Sequence, residues 1–316
     1  MGVYILRRLI TSIVSILAIV SFIFVLVHLT PGDPVDVLLA EYWTPELAAA
    51  LRSRLGLDRP LWTQYVIYTT GVLRGDLGDS FRTGRPVIHD ILSQYPYTIR
   101  LAIASLVFSV LIGIPLGVVS ALRRNSTIDL LAMVSSLVWL SVPSFWFGLL
   151  LILFFSVRLG IFPVTGAGDP GSAASTLYHL ALPAIALGAR MAALVARMTR
   201  STMLDVLGED FVRTARAKGL SGRAVTYKHA LRNASIPIIS IAGLDAISLL
   251  GGSVVTEIVF SRPGVGGLLI AGVSQRDYPV IVGILYFFVT TVVILNFVTD
   301  LLYAAVDPRI RLGVRA

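Results

Sequence analysis

The chain has 316 residues, 56% of them apolar and 14% charged, against about 25% charged in an ordinary soluble domain. Its mean hydropathy is +0.83 and it contains no cysteine, which excludes a soluble globular class, disulfides and thiolate metal sites. A net charge of +8 would suit a nucleic-acid binder, but the way the charge is distributed follows a membrane topology instead.

Six apolar runs, at about 9–29, 100–122, 130–157, 180–203, 236–259 and 279–305, have the length that crosses about 30 Å of hydrocarbon as α-helix. Backbone groups in lipid must be satisfied within the segment, and the short alternating segments of a barrel are absent, so the predicted fold is an all-α membrane protein with six transmembrane helices. Arg7 and Arg8 precede the first run; that run is too long for a signal-peptide core and no A-x-A site follows, so an uncleaved first helix over 1–29 is expected. Arg7/Arg8, Arg123/Arg124, the 197–232 stretch and Arg309/Arg311/Arg315 fall on one side of a six-helix arrangement. The short segments opposite hold only Arg158, Arg262 and Arg276. This asymmetry places the N- and C-termini in the cytoplasm.

Residues 30–99 form the longest polar segment, with six arginines against eight acids. Segments longer than about 60 residues translocate largely regardless of charge, so an external position is consistent with the topology. Thr44-Pro45-Glu46 opens a predicted helix, with Thr44 as N-cap and Pro45 at the first helical position, ending near Gly56. A second helix is predicted from Pro60 through Trp62, Tyr65 and Tyr68. The composition suits a small folded external cap. No internal repeat or low-complexity tract is evident.

Within the spans, Pro115, Pro143 and Pro183 are expected to kink helices. Gly113-x-x-x-Gly117 and Gly251-Gly252 provide small surfaces for close helix approach, or hinges. Trp139 and Trp146 suit interface anchoring or packing.

The stretch 204–235 carries the most information. Residues 204–217 are good helix formers, and Gly219 suits a position of positive φ that ends the helix. Ser221 is expected to cap a second short helix running to about Asn233, with Pro237 opening the next span. An ordinary basic loop would explain the Arg and Lys residues but not the length or the ordered helix–Gly–helix form. A DNA-reading helix-turn-helix is excluded by the closeness of the flanking spans.

Arg213-Thr214-Ala215-Arg216-Ala217-Lys218-Gly219-Leu220, followed by His229, Arg232, Asn233 and Pro237, resembles the cytoplasmic coupling motif (the EAA loop) of permease subunits in binding-protein-dependent ABC importers. Supporting matches are Pro31-Gly32-Asp33-Pro34, Gly75-Asp76-Leu77-Gly78-Asp79-Ser80, Thr256-Glu257 with Pro263-Gly264-Val265-Gly266, and Asp307-Pro308-Arg309. Together they cover nearly the whole chain and resemble the peptide/nickel permease branch, in the first of its two permease subunits. Arg213-Thr214-Ala215 stands where the wider superfamily has Glu-Ala-Ala, a form usual in the peptide branch. The resemblance implies an external cap loop over 30–99 and a core over 100–305 holding the five-helix type I importer arrangement, with the coupling loop at 204–235 and a cytoplasmic tail at 306–316. It further implies a multi-pass protein of the cytoplasmic (inner) membrane of a bacterium or archaeon. The implied partners are a second homologous permease subunit, one or two kinds of ABC ATPase subunit, and an external substrate-binding protein or lipoprotein, besides membrane lipid.

No G-x-x-x-x-G-K-[ST] occurs, so ATP and Mg are expected on partner ATPases, and no cofactor is expected on this chain. H-E-x-x-H and G-x-S-x-G are absent, and His28, His89, His179 and His229 are scattered, so neither an enzyme nor a metal site is expected. An ionisable group in a span costs at least about 2.5–3.5 kcal/mol, which singles out Asp245 and Arg190 as a mutual pair or as part of the translocation path. Glu257, near the outer end of the fifth span, is a candidate gate residue or an interfacial charge. The resemblance implies a dipeptide, oligopeptide or nickel system, and since no His or Met cluster favours a metal, the expected cargo is di- and oligopeptides. The alternatives are the same importer class carrying nickel or another small solute, and a secondary transporter, which would not need the 204–235 loop.

Overall fold

In the computed structural model, residues 2–29, 34–39 and 43–306 are described. The Pro31-Gly32-Asp33 and Asp307-Pro308-Arg309 motifs and the tail beyond Val306 lie outside them. Among the described residues the chain is helical, with one isolated bridge between Asp79 and Pro86 and no extended strand. In order come α1 (Gly2–Leu29), α2 (Pro34–Leu39), α3 (Pro45–Leu55), α4 (Leu61–Leu73), α5 (Val87–Leu122), α6 (Thr127–Ser141) and α7 (Ser144–Leu151). After a π-helical turn at Ile152–Arg158 come α8 (Ala173–Leu207) and α9 (Asp210–Ala217). A second π-helical turn at Ala224–Ala230 leads into α10 (Leu231–Val259), α11 (Val265–Gln275) and α12 (Tyr278–Val306).

The chain forms two compact units. One comprises residues 1–96 and 267–294. In it, the Thr44 side chain accepts the Leu47 N–H at 3.2 Å, and Gly56 ends α3 at φ +69°, so both local signals act as their chemistry dictates. An aromatic cluster of Phe24, Tyr65, Tyr68 and Tyr286 packs α4 against α1 and α12. Hydrogen bonds from Tyr286 Oη to the Val20 carbonyl (3.1 Å) and between Ser21 and Tyr65 (2.6 Å) fix its register. The Gly75–Ser80 motif makes a turn whose base is Asp277, buried at 3% exposure. Asp277 accepts the Ser80 hydroxyl at 2.5 Å and the Phe81 and Arg82 N–H groups at 3.1 and 3.4 Å. A buried carboxylate is tolerable only when satisfied in this way.

The other unit comprises residues 97–266 and 295–316. Its core runs along α8, from Leu180 and Leu187 through Val195 to Met203, with Leu101 and Val118 of α5 and Ala234, Ile238 and Leu249 of α10. Small residues decide how close α5 and α8 come. A Cβ on Gly113 would lie 2.7 Å from the Ala192 carbonyl oxygen, and one on Gly117 2.5 Å from that of Ala196. In lipid, such close backbone approach replaces the hydrophobic drive that water would supply. Of the Gly251-Gly252 pair, only Gly252 faces a neighbour, Leu187.

Within the expected span at 130–157, the kink expected at Pro143 is a complete break. α6 stops at Ser141, Val142 and Pro143 are extended (ψ 125° and 131°), and α7 leaves at 103° to α6. Proline has no N–H for the helix and its ring pushes the preceding residue out of the helical region. The pair nevertheless runs from one end of this unit to the other. Asp129, at the start of α6, meets Ser120 at the C-terminal end of α5. Beyond α7, the Gly166 N–H donates to the Phe260 carbonyl at 3.3 Å, beside the end of α10 that meets Thr98 near the opposite end of this unit's α5. Among the described residues, five continuous helices are long and apolar enough to cross a membrane, and this broken pair, counted as one span, makes six. Pro115, Pro183 and Pro237 instead stay inside α5, α8 and α10.

Candidate functional site

The loop after α8 is ordered by a small core of its own. On α9, Val212 and Ala215 are three apart and share one face; both are buried with Val225 against Val206 and Leu207 at the end of α8. The opposite face carries exposed Arg213, Thr214 and Arg216, and after them come exposed Ala217, Lys218 and Leu220. Thr214 Oγ1 donates to the Asp210 carbonyl at 3.0 Å, and Arg213 meets the Asp210 carboxylate at 3.3 Å.

Gly219 ends the helix at φ +75°. Its N–H donates to the Arg216 carbonyl at 2.9 Å and the Leu220 N–H donates to that of Ala215 at 3.3 Å, closing the last turn. The Ser221 hydroxyl accepts the Ala224 N–H at 3.3 Å, as expected of a cap.

Beyond this cap the structure departs from expectation. The helix after Ser221 does not end near Asn233: the π-helical turn runs directly into α10, and Pro237 lies inside α10 rather than at its start. The cost is confined to the Asn233 carbonyl, which loses the N–H that residue 237 would have supplied. Asn233 donates its side-chain N–H to the His229 carbonyl at 2.7 Å. His229 is half-buried, whereas Arg232 and Asn233 are exposed. The loop is thus an ordered handle that packs on the end of α8, from which Gly208 and Glu209 separate it, and runs directly into α10. It presents Arg213, Arg216, Lys218, Arg223 and Lys228 beside exposed Phe211, Leu220 and Tyr227.

Behind the handle lies an ion pair that no local sequence pattern marks. Asp129, at 4% exposure, accepts from Arg200 Nε at 2.5 Å and Nη2 at 2.7 Å. It also accepts the Ser120 hydroxyl, and the Asn125 N–H at 3.0 Å. The partners stand 71 residues apart, so only the fold joins them.

The intramembrane groups fall in two places. Asp245 is half-buried on α10, takes a 3.4 Å hydrogen bond from Ser248, and lies near enough to Arg190 of α8 to interact electrostatically. Arg190 itself is exposed.

Glu257 sits at 1% exposure in a socket formed by the two motifs around it. Its carboxylate accepts the Thr98 hydroxyl at 2.6 Å and the Gly266 N–H at 2.9 Å, while Thr98 accepts the Val265 N–H at 2.9 Å. A side chain on Gly264 would run into the Glu257 carboxylate. Arg262, also buried, donates to the Gly166 carbonyl at 3.3 Å; burial pulls its guanidinium below its ordinary value, and Glu257 opposes that.

Residues 113–312 match the family described as "Binding-protein-dependent transport system inner membrane component", and residues 1–102 match the N-terminal part of the membrane component of such systems. The chain is 43% identical over 330 residues to the di/tripeptide transport system permease protein DppB of Pseudomonas aeruginosa, covering 98% of each. It is 40% identical to the dipeptide transport system permease protein DppB of Escherichia coli K12 (98% of each). It is 43% identical to the glutathione transport system permease protein GsiC of Salmonella paratyphi A (98% of each). The fold is similar to that of a chain in inward-facing structures of the MetNI methionine ABC transporter, at TM-score 0.56 and 20% identity, over 68% of this chain and 95% of that one.

Proposed function

Since the chain belongs to the family of binding-protein-dependent transport system inner membrane components, we propose that it is the pore-forming permease subunit of an ATP-driven importer of di- and oligopeptides. The observation that carries the driving mechanism is the handle between the ends of α8 and α10: an ordered, basic, partly apolar surface built on the ends of two spans. Such a surface suits a soluble motor.

In this reading the termini and the handle lie in the cytoplasm and the 30–99 segment lies outside. Cytoplasmic ATPase subunits, which bind ATP and Mg, grip the handle through Arg213, Arg216, Lys218, Leu220 and Arg232. A second, homologous permease subunit completes the path, and an external binding protein delivers cargo. ATP-driven closure of the ATPase pair moves the handle and turns the path outward; release of the pair returns it inward. Asp245 with Arg190 is placed along that path. Relatives named for di/tripeptides, dipeptides and glutathione support a peptide cargo.

The test is uptake of labelled dipeptides, longer peptides and radioactive nickel, in parallel, by cells with and without this chain. Loss of peptide uptake alone supports the proposal. Loss of nickel uptake alone refutes the peptide assignment, and no change for any of them refutes both.

A further inference from the structure

The Asp129–Arg200 pair joins α8, which leads to the handle, to the first turn of α6 in the broken span, and Asp129 also holds Ser120 at the end of α5. Arg200 stands seven residues before the end of α8, about 10 Å along the helix at 1.5 Å per residue. The last turn of α8, Val206 and Leu207, is packed into the core of the handle with Val212, Ala215 and Val225. A displacement of α9 therefore carries the Arg200 segment with it, because helix and handle share one packed core.

On the other side, Asp129 is the first-turn acid of α6. Its own N–H donates to the capping Ser126 hydroxyl at 3.3 Å. Its carboxylate holds Ser120 and the Asn125 N–H, where Asn125 turns the chain at φ +62°. α6 otherwise packs along α8 with Ala132 and Ser136 buried, and Trp139 meets Phe147 of α7, while Leu130, Leu131, Val134, Leu137 and Val138 are exposed.

We propose that the bidentate Asp129–Arg200 pair is the joint that transmits movement of the coupling handle to the broken span α6–α7, making both side chains positioning residues for transport. A two-bond guanidinium–carboxylate fork fixes direction as well as distance, which a lysine point charge cannot do. A buried ion pair is a poor device for stability alone, since its desolvation offsets its attraction; what it gains here is a defined orientation of α6 against α8. Because α7 leaves α6 at 103°, a tilt of α6 displaces the elbow at Val142-Pro143 laterally. The inference rests on the importer reading for the source of the movement.

The test uses the assembled transporter in liposomes, with Arg200→Lys and Asp129→Asn beside the parent. The chain has no cysteine, so spin labels at Thr127→Cys and Asp205→Cys, both exposed, are its only thiol labels. In the parent, the label separation should stay the same with and without trapped ATP, since the joint moves as one body. In Arg200→Lys, at normal complex yield, the separation should change with nucleotide, and ATP consumed per peptide imported should rise about tenfold. An unchanged coupling ratio with a nucleotide-independent separation overturns the joint. So does a proportional fall of uptake and hydrolysis with that separation unchanged, which marks a purely structural pair. If the parent carries no peptide, the importer reading fails, and the label separation still decides the joint.

Discussion

Thr98 donates its hydroxyl hydrogen to the buried Glu257 carboxylate at 2.6 Å while the same oxygen accepts the Val265 N–H at 2.9 Å. One side chain of α5 thereby binds both sides of the α10–α11 junction. Thr98→Val keeps the shape and removes both bonds, leaving a buried carboxylate short of a donor, which costs about 1–3 kcal/mol. The melting temperature of the purified complex should fall for Thr98→Val and hold for Thr98→Ser; equal melting of the two would contradict the socket.

Gly264 faces the Glu257 carboxylate with no room for a Cβ, whereas Gly251 on α10 has nothing within 4 Å of its would-be Cβ. Gly264→Ala should lower the amount of folded protein in the membrane. Gly251→Ala should be neutral, or gain up to about 1 kcal/mol from helix propensity. Quantitative blotting of the two variants separates close packing from a general intolerance of change.

Gly219 combines φ +75° with open space around its would-be Cβ, so a substitution there meets only backbone strain. For a β-branched residue the left-handed region costs about 1–2 kcal/mol, which the last turn of the handle relieves by unwinding. Gly219→Val should reach the membrane in normal amount yet import poorly, with Gly219→Asn intermediate. Normal uptake by the valine variant would remove the ordered handle from the account.

Arg216 and Lys218 are exposed and join no described ion pair, so Arg216→Ala with Lys218→Ala should leave thermal stability within about 0.5 kcal/mol. Co-purification of the ATPase subunits should weaken, and weaken further as salt rises, because exposed charge contacts are screened. Unchanged co-purification would assign these charges to topology alone.

Much of the architecture was legible because lipid imposes simple rules: length and hydropathy located the spans, Thr44 and Gly56 bounded α3, and Gly219 ended α9. The break at Val142-Pro143 was not. Prolines also lie inside α5, α8 and α10, which run on unbroken, and Ile114 and Ile236 precede their prolines just as Val142 precedes Pro143. The local chain does not distinguish these cases; packing does. Nor did any local pattern mark Arg200 as the partner of Asp129, or show that the glycines at 264 and 266 clear space for Glu257. Such relations arise only once α5, α8 and α10 are side by side.

The most direct test of the central claim is site-specific cross-linking in the native membrane. The chain lacks cysteine, so a single Arg216→Cys, or a single Arg82→Cys in the turn held by Asp277, carries a photoreactive thiol label at one place. Label at residue 216 should capture an ATPase subunit, and label at residue 82 should capture none. Failure at residue 216 in a complex that still contains its ATPase, or capture of that ATPase from residue 82, would contradict the assignment of the handle and of the topology behind it.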